Sequence, residues 1–290
     1  MTRRVHLVGI GGAGLSAIAR VLHQRGEVVS GSDLTRSEYS AALEGEGIPV
    51  MYGHRAENID AADLVIASSA VPATNVELQA ADRAGIPVLR RERVLDELTA
   101  GHRVVAVAGT HGKTTTSAAL AHMLAGAGQS PSFIVGGMLR GLGTNAQAGE
   151  GPLFVLEADE YDRTFLGLHP QIAIVTNVEH DHPDCYPEID SLRAAFAQFT
   201  AQVEERLIVC ADDPGASELA PEGLARWTYG TSQQADWRAE EISPNKAGGS
   251  DFLLLRDGAE VDLIRTRLPG IHNVRNTLAA LAVMGHLGMD

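Results

Sequence analysis

The stretch that most restricts how this chain can fold is Gly109-Thr110-His111-Gly112-Lys113-Thr114-Thr115-Thr116, set between the apolar run Val104–Ala108 and the helix-forming segment Ser117–Leu124. A glycine-rich turn after a strand and before a helix points backbone N–H groups inward, and the helix N-terminus adds partial positive charge, so the segment predicts a phosphate cradle at the edge of a parallel α/β sheet. Gly109, Thr110, Gly112 and Thr115 belong to that cradle. Lys113 is placed to reach the outer phosphates of a nucleotide, and the Thr114 hydroxyl to hold Mg²⁺. The spacing is G-T-x-G-K-T; the longer G-x-x-x-x-G-K-[ST] form needs glycine where Val107 stands. An ordinary strand–turn–helix with an incidental lysine is the competing reading. Against it, Lys113 and Lys246 are the only lysines among 23 basic residues.

At 290 residues the chain predicts two domains, since domains run to about 100–200 residues. The pattern divides near Thr99–Arg103, giving 1–99 and 100–290. Before the division, strands at Val5–Val8, Glu27–Ser30, Ile48–Met51, Leu64–Ala67 and Pro87–Leu89 alternate with helical segments, the first at Ala13–Gln24. That alternation predicts a Rossmann-like parallel sheet with helices on both faces. After it, strands at Phe133–Val135, Phe154–Glu157, Ile172–Thr176 and Leu207–Val209, and a helix at Ser191–Val203 with Leu192, Phe196 and Phe199 on one face, predict a P-loop-type α/β domain. Asp236–Arg267 looks antiparallel, turning at Arg256-Asp257-Gly258, and a last helix runs from Asn273 to Leu287. Ser243–Ser250 is the most flexible-looking loop.

Composition excludes several classes. Hydrophobic content of 44% and charged content of 21% are those of a soluble globular protein. A net charge of −14 argues against nucleic acid as a partner, while leaving anionic ligands open, because glycine loops bind phosphate through backbone dipoles. Cys185 and Cys210 form neither a disulfide framework nor a zinc spacing. The apolar stretch after Arg3-Arg4 is broken by His6, four glycines and Arg20, and no other run reaches the roughly 18 residues of a membrane span. The expectation is a cytoplasmic protein with no membrane partner, a monomer or homodimer.

A second phosphate signal lies at Gly9-Ile10-Gly11-Gly12-Ala13-Gly14, with Asp33 after the second strand. This is the dinucleotide fingerprint, with Asp33 placed for a ribose hydroxyl, so an NAD-dependent dehydrogenase is one reading. The same turn accepts the pyrophosphate of a UDP-sugar, and a dehydrogenase has no use for the loop at Lys113. Two further motifs close predicted strands: Glu157-Ala158-Asp159-Glu160, and Asn177-Val178-Glu179-His180-Asp181-His182. Parallel strands align their C-terminal ends, so Glu157, Asn177 and His182 are expected to face the Lys113 loop. Carboxylate and imidazole beside phosphates suit Mg²⁺ or Mn²⁺. A capping carboxylate for Glu157 and a solvated histidine for His182 are the plainer alternatives.

Taken in order, Gly-Ile-Gly-Gly-Ala-Gly at 9–14, Ser-Asp at 32–33, the Lys113 loop at 109–116, Glu-Ala-Asp-Glu at 157–160, Thr-Asn-Val-Glu-x-Asp-His at 176–182 and Pro-Gly-x-His-Asn-x-x-Asn at 269–276 resemble the Mur ligases over the whole chain. The similarity is greatest to the members that add L-alanine to UDP-N-acetylmuramate. The resemblance implies peptidoglycan precursor synthesis, and with it roles in cell-wall biogenesis, cell shape and division. It implies an N-terminal domain for the UDP-sugar, a central domain for MgATP, and amide-bond formation through an acyl phosphate. It places Gly11, Gly12, Gly14, Asp33, His54 and Ser69 around the uridine diphosphate. His272, Asn273 and Asn276 come near adenine and ribose, and His111 and Asn177 near the reacting carboxylate and γ-phosphate. The resemblance also implies that Thr114 and Glu157 hold one metal ion and His182 a second.

Three departures shape the expectation. Mur ligases carry a third, C-terminal domain that binds the amino acid; this chain stops just after the helix that begins at His272-Asn273, so it is expected to bind ligands without turning over. No lysine stands between positions 114 and 245, so the carbamylated lysine of later-acting members has no counterpart. Tyr161 after Glu-Ala-Asp-Glu resembles the recycling murein-peptide ligase, the second candidate. Outside this family, a dehydrogenase and a non-catalytic nucleotide-binding module are the other readings.

Overall fold

The computed structural model describes residues 2–139 and 143–289; Met1, Asp290 and residues 140–142 lie outside the described residues. The chain divides into two compact units, Met1–Ala100 with Ser132–Glu150, and Gly101–Pro131 with Gly151–Asp290.

The first unit alternates β1 (Arg4–Val8), α1 (Ala13–Gln24), β2 (Val28–Asp33), α2 (Glu38–Gly45), β3 (Val50–Tyr52), β4 (Leu64–Ala67), α3 (Val76–Ala84), β5 (Val88–Arg90) and α4 (Arg91–Thr99). All five strands are parallel, in the order β3-β2-β1-β4-β5. The chain steps outward from β1 to β3, then crosses to β4 and β5, which sets a topological switch point between β1 and β4. Val5, Leu7 and Val8 of β1 and all of β4 are buried, as strands covered on both faces must be. Helix α1 has the bounds its periodicity predicts and buries Leu15, Ile18, Val21 and Leu22. Asp33 closes β2 rather than following it.

The second unit opens with β6 (Arg103–Ala108) and α5 (Lys113–Gly126). The helix starts four residues before the predicted Ser117, because Gly112 in the left-handed region caps it and accepts from Thr116 N–H. The hairpin β7 (Ser132–Leu139) and β8 (Thr144–Gln147) belongs to the ten-stranded sheet by its strand order and groups with the first unit by its packing. Asn145 is the physical reason. Its amide donates to the Ala13 carbonyl at 2.9 Å, and its oxygen accepts from Arg20, a fully buried guanidinium that also holds Glu46.

The second unit resumes with β9 (Leu153–Glu157), β10 (Ile172–Val175), α6 (Ile189–Thr200), β11 (Arg206–Cys210), the short α7 (Pro214–Ser217), β12 (Arg226–Gly230), β13 (Trp237–Pro244), β14 (Ser250–Arg256), β15 (Ala259–Thr266) and α8 (Ile271–His286). Strands β9-β6-β10-β11-β12-β13 run parallel, and β13-β14-β15 antiparallel. Leu192, Phe196 and Phe199 of α6 are fully buried, and Phe165 stacks on Phe199 at 4.9 Å. The Ser243–Ser250 segment is a bonded turn, not a loose loop: Asn245 Oδ1 accepts from Ala247 and Gly249 N–H, and its amide donates to Asp251 and the Thr266 carbonyl. No helix among the described residues is long and apolar enough to cross a membrane.

Candidate functional site

Strands β9, β6 and β10 are parallel neighbours, so Glu157, the Gly109 turn and Asn177 share one sheet edge. The turn is bonded to the chain after β10. Thr110 N–H donates to the Asn177 carbonyl at 3.1 Å, and the Thr110 hydroxyl bridges the Glu179 backbone N–H and C=O at 3.0 Å each. The Asn177 side chain accepts from His111 N–H at 2.8 Å and donates back to His111 C=O at 3.1 Å. Thr176 Oγ1 donates to His111 C=O at 2.6 Å. Glycine is required at 109: φ is +131°, and a Cβ there would sit 2.0 Å from Thr176 Oγ1.

Lys113 does not point freely outward. Its ammonium lies 2.8 and 3.0 Å from the two oxygens of Glu160, 2.7 Å from the Gly109 carbonyl and 3.3 Å from that of Thr110. The Glu160 side chain is fully buried, and burial pushes its carboxyl up despite the ammonium beside it. Tyr186 donates to the Glu160 carbonyl at 2.7 Å, and burial pushes its own phenol up to about 12. Glu160 is the partner of Lys113 that sequence reasoning missed. Its signal was present, a carboxylate three residues past a strand-ending glutamate, but nothing in the sequence marks it as the partner of Lys113.

His182 Nε2 is 3.7 Å from Glu160 and 3.8 Å from Asp181, with its ring edge-on to Tyr161. It is held at φ +53°, an uncommon conformation for histidine. Glu157 is buried, in register with Val107 of β6. Thr114 stands in the first turn of α5. Among the described residues, no three His, Cys, Asp or Glu side chains gather into a metal cage. The hard oxygens of Thr114 and Glu157 fit Mg²⁺ all the same, since that ion binds through one or two protein oxygens together with phosphates and water.

Helix α8 brings the distant Pro269–Asn276 motif to the same place. Gly112 has φ +84°, and a Cβ on it would meet Asn276 Oδ1 at 2.8 Å. His111, Gly112, Thr115, Asn177, His272, Asn273 and Asn276 line a cleft of about 410 Å³, within the roughly 300–1,000 Å³ of small-molecule sites. Asn273 is anchored to the Pro269 carbonyl at 2.7 Å. Beside this cleft, Asp212 accepts from Arg275 at 2.7 Å and from Thr231 and Ser232 N–H at 2.8 Å each. Burial opposes its ionisation, but those bonds outweigh it and hold its carboxyl below the usual range.

In the first unit the glycine turn follows β1 at the switch point. Gly9 has φ +86° and lies against Ser68, so the turn and the loop after β4 meet. Asp33 accepts from Gly11 N–H at 2.8 Å. His54 Nδ1 is 3.0 Å from Ser32 Oγ and 3.2 Å from Glu77. Glu77 is fully buried; burial opposes its charge, but His6, Ser32 and Asn58 hold it down to about 2. Ser69 is exposed in the turn after β4, and Gly12 and Gly14 open and enter the first turn of α1.

A family model described as the Mur ligase middle domain matches residues 107–284, and one described as Mur ligase family, catalytic domain, matches residues 4–103. A UDP-N-acetylmuramate–L-alanine ligase of Chlorobaculum tepidum is 45% identical, over 99% of this chain and 61% of its own length. A ligase of the same name from Roseiflexus sp. is 47% identical, over 98% of this chain and 65% of its own. The chain therefore spans less than two thirds of the length of these curated relatives. Among solved structures, UDP-N-acetylmuramate–alanine ligase of Thermotoga maritima aligns with a TM-score of 0.87 at 32% identity, over 99% of this chain and 66% of that one. The UDP-N-acetylmuramate:L-alanyl-γ-D-glutamyl-meso-diaminopimelate ligase of Neisseria meningitides aligns with a TM-score of 0.89 at 28% identity, over 100% of this chain and 95% of that one. The dehydrogenase reading falls with these matches: from the glycine turn at Gly9 to the asparagines of α8, the chain belongs to the Mur ligase family.

Proposed function

We propose that this chain carries the UDP-sugar and ATP sites of a ligase that joins L-alanine to the lactyl carboxylate of UDP-N-acetylmuramate. The observation that carries the reading is the meeting of the Lys113 loop with Asn177 of the β10 edge and Asn276 of α8, three segments far apart in sequence, around one cleft. The names of relatives at 45% and 47% identity favour the L-alanine-adding reaction over that of the L-alanyl-γ-D-glutamyl-meso-diaminopimelate ligase found at 28%.

In this reading the second unit takes ATP. Gly109, Thr110, Gly112, Lys113, Thr114 and Thr115 cradle its phosphates, and His272, Asn273 and Asn276 flank the nucleoside. Thr114 and Glu157, with His182 for a second ion, hold Mg²⁺, which supplies charge neutralisation at the phosphates; Mn²⁺ also suits the imidazole. The lactyl carboxylate oxygen attacks the γ-phosphorus and ADP leaves. The alanine amine then attacks the acyl carbon, and inorganic phosphate leaves. Lys113 compensates the negative charge that develops between carboxylate and phosphate, and His111 and Asn177 hold the reacting groups in place. The first unit, Met1–Ala100 with Ser132–Glu150, takes the UDP-sugar through Gly11, Gly12, Gly14, Asp33, His54 and Ser69.

Titration calorimetry of the 290-residue chain tests this with UDP-N-acetylmuramate, a non-hydrolysable MgATP analogue, and NAD as control. Saturable binding of the first two and none of NAD is expected. Silence towards the UDP-sugar would overturn the assignment.

A further inference from the structure

We propose that Asp212 and Arg275 are positioning residues of the second unit: their ion pair seats α8 against the sheet, so that His272, Asn273 and Asn276 are held at a fixed place beside the Lys113 loop for a nucleotide that spans both. The proposal rests on the reading of this cleft as the ATP site and adds two residues that its motifs leave unspecified.

Asp212 and Asp213 come just after β11, in Ala211-Asp212-Asp213-Pro214. Strands β6, β10, β11 and β12 are parallel neighbours, so this step arises at the sheet edge that carries the Gly109 turn and Asn177. The two carboxylates take different partners. Asp213 Oδ1 accepts from Val178 N–H at 3.1 Å and so ties down the segment that carries Asn177. Asp212 joins the turn after β12 to α8. Its oxygens accept from Thr231 and Ser232 N–H at 2.8 Å each and from the Thr231 hydroxyl at 2.9 Å, and Oδ2 also accepts from Arg275 Nε at 2.7 Å. A Cβ on Gly230 would stand 2.7 Å from Asp212 Oδ1, so glycine there makes room for the carboxylate. The Asp212 side chain is only 8% exposed, which sets the pair apart from the solvated surface pairs that contribute little. The rest of α8 is seated by Val274, Leu278 and Ala282, all fully buried. Apolar burial has no preferred direction. A short charge-assisted bond from a planar guanidinium fixes direction as well as distance. Arg275 stands next to Asn276, whose Oδ1 lies against Gly112 of the Lys113 loop, and shares a wall with His272 and Asn276. The pair thus refers the nucleoside-facing turn of α8 to the end of β11, as Asp213 refers the Asn177 segment to it. Losing Arg275 leaves Asp212 its three donors from the β12 turn, so that turn stays built while α8 loses its tether.

The test is calorimetric titration of the 290-residue chain with a non-hydrolysable MgATP analogue, and displacement of that analogue by magnesium tripolyphosphate, using wild type, Asp212→Asn, Arg275→Met, Arg275→Lys and the Asp212→Asn/Arg275→Met double variant. Each of Asp212→Asn and Arg275→Met is expected to bind the analogue about tenfold more weakly. Tripolyphosphate reaches only the loop, so its affinity should change by less than about twofold. The double variant should lose no more than either single one, because both remove the same bond. Arg275→Lys should recover part of the loss. Thermal melting establishes that each variant is folded, and where Asp212→Asn is not, the two Arg275 variants decide. Wild-type affinity for the analogue in folded Arg275→Met overturns the proposal. Equal losses for analogue and tripolyphosphate also overturn it, since they mark general loosening of the unit. So does a loss in Arg275→Met with none in folded Asp212→Asn, which makes the arginine a direct nucleotide contact. Absence of analogue binding, or of its displacement by tripolyphosphate, in wild type is read separately; it refutes the reading of the cleft as an ATP site and this inference with it.

Discussion

Replacing Glu160 with glutamine isolates the contact that restrains Lys113. An ammonium has three N–H donors, and around Lys113 they are taken by Glu160, the Gly109 carbonyl and the Thr110 carbonyl. A phosphate can reach this lysine only by displacing one of them. A bond between charged partners contributes about 1.5–3 kcal/mol net, and a neutral acceptor of the same shape retains roughly half. Glu160→Gln should therefore cost the ligand-free chain about 1–1.5 kcal/mol. At about 2–4 °C per kcal/mol, the second unit should melt some 2–6 °C lower. The same change makes Lys113 easier to release, so a non-hydrolysable ATP analogue should bind about fivefold tighter, near 1 kcal/mol. Melting curves and calorimetry on the same protein read both numbers. Lys113→Met, which removes the phosphate partner, should bind the analogue at least about tenfold more weakly. The reasoning fails if folded Glu160→Gln binds the analogue more weakly than wild type, because Glu160 would then be positioning Lys113 for the phosphate, not withholding it.

Gly109→Ala places a methyl against Thr176 Oγ1, which is itself tied to His111 and Ala108 carbonyls and cannot swing away. A loss of about 2–4 kcal/mol in urea unfolding and of analogue binding is expected; unchanged stability would mean that the turn relaxes freely. Glu77 sets an acid limb: its folded value of about 2 lies below its ordinary 4.5, so its contribution is complete above pH 4.5 and is lost as pH falls towards 2. The difference corresponds to about 3 kcal/mol. Urea midpoints of wild type should fall more steeply than those of Glu77→Gln across that window, and parallel curves would remove Glu77 as the cause.

Much of this was legible from local pattern. Helix α1 begins and ends where its apolar period says, because Leu15, Ile18, Val21 and Leu22 have a single buried face to fill. Parallel alternation places Glu157, Asn177 and the Lys113 loop on one edge, since strand direction alone fixes which ends coincide. What escaped depends on side chains that meet through space. Nothing near Asn145 says that it joins Arg20, 125 residues away, yet that bond accompanies the grouping of residues 132–150 with the first unit. Glu160 resembles its acidic neighbours in sequence and differs from them in full burial against Lys113. Asn245 turns a glycine-rich stretch of loop composition into a bonded corner by using both ends of its amide.

The reciprocal bonds between the Lys113 loop and the β10 edge have a thermodynamic consequence. Thr110, His111, Thr176 and Asn177 fix one another by main-chain and side-chain bonds within the protein. The loop has thus surrendered its conformational freedom at folding, and ligand capture need not order it again. Amide hydrogens of His111 and Glu179 should then exchange slowly in the empty protein, and saturation with nucleotide should slow them little further.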